Sequence, residues 1–148
     1  LGGHSLDWPH MREFNMMQDV AAARVVFDSG VALVSLPCMG VVSSFRTSGP
    51  ELEYHLRGQN KLCDYLVDVT TREAASHGGN EAWTRIIWDV TAVAWLIDPS
   101  FMKERLEHAI IPQYDHHYSV DASRHFYLYV YHVDRDRLFA DLFRKLKR

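Results

Sequence analysis

Residues 86 to 99, Ile-Ile-Trp-Asp-Val-Thr-Ala-Val-Ala-Trp-Leu-Ile-Asp-Pro, constrain the fold of this chain more than any other stretch. They read as an apolar helix that a single acidic residue, Asp89, opens and Asp98-Pro99 closes. A carboxylate in that position needs a physical reason, and two are available. As a cap it accepts hydrogen bonds from the first free backbone N–H groups of the helix. As a ligand it stands where open α/β sheets place their chemistry, at a helix N-terminus beside a strand end.

The rest of the pattern alternates helix and strand. Asp19 is placed to cap a compact apolar helix over Val20 to Phe27 that stops near Ser29-Gly30. The run Val31 to Leu36, ended by Pro37, has the look of a strand buried on both faces. Ser43 to Pro50 reads as a loop. A long helical pattern follows from Glu51 towards Ala75, with Gly58 as its weak point, and His77-Gly78-Gly79-Asn80 breaks it. That glycine pair lacks the strand, spacing and helix of a phosphate loop. Ala109 to Ile111 looks extended, Phe126 to Tyr131 alternates as a strand does, and Val133 to Leu146 closes the chain as an amphipathic helix. The expected fold is an α/β, open, mostly parallel sheet flanked by helices, with ligands at the carboxyl ends of its strands.

Composition narrows the function classes. A chain of 148 residues with 47% apolar content and no uncharged apolar run long enough to span a bilayer is expected to be a globular unit that does not enter the membrane. A net charge of -3 gives no basic face for nucleic acid. The basic end, Arg144 to Arg148, fits favourable charges at a helix C-terminus. Cys38 and Cys63, without metal-type spacing, point to reduced thiols and a cytoplasmic setting. No charged segment followed by an apolar one opens the chain, so no secretory signal is expected, and Leu1 as first residue suggests a processed chain or part of a longer protein.

Three segments, in this order and spacing, carry a resemblance. Glu13-Phe14-Asn15, then Asp19 to Gly30, then Trp88-Asp89 leading into Ala92 to Pro99, resemble the C-terminal half of the nucleoside hydrolase family, the inosine-uridine preferring N-ribohydrolases. The Tyr127 to Val133 strand with Asp134 to Phe139 resembles that family's closing strand and helix, while positions 38 to 85 match poorly. The resemblance implies a calcium-dependent hydrolase that cuts ribonucleosides into base and ribose. By it, Glu13 and Asn15 contact the sugar and Asp89 is a Ca2+ ligand. Trp88 stands where many members have a histidine that protonates the leaving base. An indole cannot do that, but it stacks well on a purine, which tilts the expected substrate towards purine nucleosides.

The departures are as informative. The family's aspartate-rich opening, a DxDxxxDD pattern holding most calcium ligands and the general base, is absent before Glu13. Asp89 alone is too few ligands for a cation that takes about six to eight oxygens. The family's asparagine upstream of Glu-Phe-Asn is replaced by Asp7, which accepts but cannot donate when ionised. The implied account is the C-terminal half of one nucleoside hydrolase-like domain over residues 1–148. It would need an N-terminal half, as a separate chain or a lost segment, and form a homo-oligomer. His10 is a weak candidate for a substitute acid, since histidine titrates near neutrality. His116-His117 and His125 do not have the spacing of a zinc site. Each chosen residue also has a plain reading: Asp89 as a cap, Trp88 as core, Glu13 and Asn15 as helix-start polar residues. The alternative functions are a catalytically inactive scaffold that binds a ligand or partner, and a small self-contained flavodoxin-like binding domain.

Overall fold

The computed structural model describes residues 1–77 and 82–148. The chain forms two compact units, one of Leu1–Ser44 with Trp88–Val133 and one of Phe45–Ile87 with Asp134–Arg148. The fold is mixed α/β, with six α-helices and seven strands among the described residues. None of those helices is long and apolar enough to cross a membrane.

The first unit is built on a three-stranded sheet. Its central strand is β7 (Phe126–Val133), flanked by β1 (Val34–Ser35) and β4 (Met102–His108). Alternation in β7 sends Tyr127 and Tyr129 into a core with Phe27, Ala109 and Ile110. Phe27 comes from α2 (Val20–Asp28), which Asp19 caps through Ala22 N–H at 2.8 Å. Before it lies the single-turn α1 (Phe14–Gln18). The apolar helix α5 (Val90–Ile97) ends at Asp98, whose carboxylate caps the 3-10 turn Pro99–Phe101 that leads into β4. A hairpin of β5 (Ile111–Pro112) and β6 (Tyr118–Ser119) completes the unit.

The sheet is not the mostly parallel one expected. β1 runs parallel to β7 over two residue pairs, β4 runs antiparallel to it, and the two remaining strand pairs are antiparallel. β1 is also shorter and less buried than a strand covered on both faces, because it lies at the sheet's edge: Val31 is 58% exposed and Val34 half-buried. β4 escaped the sequence reading because charged residues, Lys103, Glu104, Arg105 and Glu107, fill most of it, so no apolar run marks it.

The second unit is mainly helical. The expected loop at 43–50 contains a strand, β2 (Arg46–Ser48), paired with β3 (Thr84–Ile86). The expected long helix is two: α3 (Gly49–Leu56) and α4 (Lys61–Ser76). Gly58, at φ +75°, turns the chain between them in a conformation that a side chain resists. His77 caps α4 with its backbone N–H, and the rest of the expected break, 78–80, lies outside the described residues. Closing the chain, α6 (Arg135–Leu146) buries Leu138, Phe139 and Phe143. Phe139 stacks on Phe45 at 4.1 Å, and its neighbour Arg135 makes a two-pronged ion pair with Glu51 at 2.5 and 2.7 Å.

Candidate active-site cleft

The site begins with a loop that needs partners for its backbone. Residues 2–5 run beside 36–39, joined by Gly2 N–H to Leu36 C=O, Cys38 N–H to Gly3 C=O and Ser5 N–H to Met39 C=O, at 2.8–3.2 Å. Tyrosines from the sheet and hairpin pin the same loop from below. The Tyr118 hydroxyl donates to the His4 carbonyl and accepts from the His4 N–H, both at 2.9 Å, while the Tyr129 hydroxyl accepts from Leu6 N–H at 3.1 Å. Gly3 sits at φ +75°, and a side chain there would run into Tyr118 Oη at 2.7 Å. Burial pushes the Tyr118 hydroxyl up to about 12, against the pull of its bond to His4.

Glu13 ties the loop to α1. Its carboxylate accepts from Gly3 N–H at 2.8 Å, Asn15 N–H at 3.0 Å and Met16 N–H at 3.3 Å, so one buried side chain satisfies three orphan donors. Beside it, Cys38 is a free thiol pushed up to about 12, first by burial and then by the Glu13 carboxylate. It is a packing residue rather than a nucleophile, because the reactive thiolate is nearly unpopulated at neutral pH.

Asp89 and Trp88 come from the other stretch of this unit. Asp89 holds the N-cap position of α5 at φ -77°, ψ -20°, and its side chain makes no cap hydrogen bond. The expected capping role is therefore not taken: in a helical backbone conformation the carboxylate does not fold back over the first turn, and it stays exposed. The fully buried Thr91 takes over part of the local ordering. Its hydroxyl donates to the Trp88 carbonyl at 2.7 Å, which holds the half-buried Trp88 at the helix start.

These pieces enclose a cleft of about 460 Å³, lined by Glu13, Asn15, Trp88 and Asp89 together with His4 and Cys38, among others. Four of the residues singled out in the sequence thus meet in one space. Asp7 and His10 do not line it. Asp7 is exposed and accepts from the Ser5 hydroxyl at 3.1 Å, and His10 uses Nδ1 to accept from Arg12 N–H. His4 and Thr91 were missed; a single histidine in a loop, or a single threonine in the first turn of α5, carries no periodicity to mark it.

The donors present do not by themselves suit calcium. The cleft has two carboxylates, Glu13 is already bound by backbone N–H groups, and no cluster of three or more His, Cys, Asp or Glu able to hold a metal occurs among the described residues. A cation held at Asp89 would need most of its oxygens from elsewhere.

No protein-family model matches the chain, and no curated protein sequence does. Among solved structures it is similar to a plant nucleoside hydrolase, the PpNRh1 enzyme, with a TM-score of 0.71 over 90% of this chain at 19% identity. The fold is nucleoside hydrolase-like. The chain spans about half of that enzyme's length, 46%.

Proposed function

We propose that this nucleoside hydrolase-like chain is the C-terminal half of an enzyme that hydrolyses the N-glycosidic bond of purine ribonucleosides to base and ribose. The observation that carries this reading is the convergence of Glu13, Asn15, Trp88 and Asp89 on one cleft. In it, Trp88 stacks on the base. Asn15, whose Nδ2 donates to the Leu1 carbonyl, keeps its side-chain oxygen for the sugar. A carboxylate has about four acceptor positions, and with three filled Glu13 keeps one for a ribose hydroxyl. Calcium, if the complete enzyme uses it, would find one ligand here in Asp89; the remaining ligands and the general base belong to the N-terminal half. The surface supports a missing partner. A helix apolar all round is normally a buried one, yet α5 leaves Val93, Leu96 and Ile97 exposed.

The test is reconstitution with the N-terminal half, followed by assay on inosine and guanosine. Turnover is expected, with Asp89→Ala abolishing it together with calcium retention, and Trp88→Ala weakening purine binding by about 1–3 kcal/mol. Normal turnover by Asp89→Ala sinks the ligand assignment. The scarcity of metal donors favours a second reading, a catalytically inactive scaffold. Inosine that binds without release of base decides for it.

A further inference from the structure

We propose that His4 is the proton donor to the departing base, an inference that rests on the hydrolase reading above. His4 lines the cleft with Trp88 and Asp89 and is only 7% exposed. Its ring is unusually well fixed for a loop residue. Nδ1 lies 3.0 Å from the His10 carbonyl oxygen, which can only accept, so Nδ1 carries a hydrogen in both the neutral and the charged ring. The nitrogen that gains and loses a proton is then Nε2, and no hydrogen bond meets it among the described residues. The Trp8 ring at 4.7 Å and the His10 ring at 5.2 Å back the imidazole, and Tyr118 clamps its main chain from both sides. His10, the histidine that the sequence suggested, thus serves as the holder of His4 through its carbonyl.

The chemistry needs such a donor. When the C1′–N9 bond breaks, its electron pair moves into the purine, which leaves as a poor anion unless a proton reaches a ring nitrogen such as N7. Nε2–H of the charged His4 supplies that proton and becomes neutral. Water adds its oxygen to C1′ and releases a proton, so the sum is nucleoside plus water giving base plus ribose. The charged or titratable groups around His4 are His10 and Tyr118 against it and Arg12, Glu13, Cys38 and Asp89 around the cleft.

The experiment compares inosine with 4-nitrophenyl riboside on the complete enzyme, this chain with its N-terminal half. Nitrophenolate departs as a stable anion and needs no proton. His4→Gln and His4→Asn, the second keeping an N–H near the Nδ1 position, are expected to lose about 10²–10⁴-fold in kcat on inosine while turning over the nitrophenyl substrate nearly as wild type does. That retained turnover also shows that the variants fold. Equal losses on both substrates, or no loss on inosine, overturn the role of His4 and leave the hydrolase reading standing. A wild-type enzyme silent on both substrates overturns the hydrolase reading, and the proton transfer with it.

Discussion

The two units solve the problem of stability differently. The second closes its own core: Phe45, Phe139 and Phe143 stack in series, and its long apolar exposures are confined to Tyr54, Leu62 and Tyr65. Its ion pairs, such as Arg57 with Glu53 and Asp68, lie on the surface, where they contribute little. The first unit instead holds irregular loops with the buried polar side chains of Glu13 and Tyr129 and the half-buried Tyr118, and leaves Val25, Val31, Leu96, Leu106 and Phe126 in the open. A closed aromatic core yields a scaffold. A loop held by point contacts yields a cleft, and apolar surface is left uncovered beside it.

The comparison can be broken by mutation. The largest stability effect belongs to the second unit: Phe139→Ala removes the middle ring of the stack and is expected to cost about 3–5 kcal/mol, read by chemical denaturation. A much smaller loss would mean that this core is not what closes the unit. Next comes Glu13→Ala, which strands three backbone donors and is expected to cost about 3 kcal/mol, with hydrogen exchange rising at Gly3, Asn15 and Met16 first. If the exchange rises evenly over both units, the idea of a locally pinned loop fails.

Alkali should act on the first unit through Cys38 and Tyr118. Both carry pKa values raised to about 12 from 9.0 and 10.0, so the native state holds these protons more tightly than the unfolded chain does. The stability they contribute is complete below about pH 9 and is lost as pH rises towards 12, and Cys38→Ala should flatten part of that slope in a pH series of melts. The smallest effect is at Gly58→Ala. There the added methyl meets nothing within 4 Å but must hold a left-handed backbone, at about 1 kcal/mol. A neutral result would show that the α3–α4 turn relaxes into another conformation.

Local patterns were legible where one face decides burial. α2, α5, α6 and β7 follow from caps and periodicity, and Gly58 marked the break between α3 and α4. β4 was hidden because four charged residues, Lys103, Glu104, Arg105 and Glu107, leave it no apolar run, and β2 because three polar residues, Arg46 to Ser48, form it against β3. Glu13, Asn15, Trp88 and Asp89 were legible as candidates through a resemblance between motifs; that they line one cleft was not.

By itself the sequence determined where α2, α5 and α6 run, that a single acidic residue opens an apolar helix, and that an aspartate-rich cluster is absent before Glu13. The tertiary structure alone decided that the sheet is mixed, that Asp89 does not cap its helix, and that His4 rather than His10 enters the cleft. The physical reason is range. Caps and periodicities act within a few residues, whereas strand direction, a carboxylate's surroundings and a ring's one hydrogen bond depend on groups that meet only when distant parts of the chain pack together.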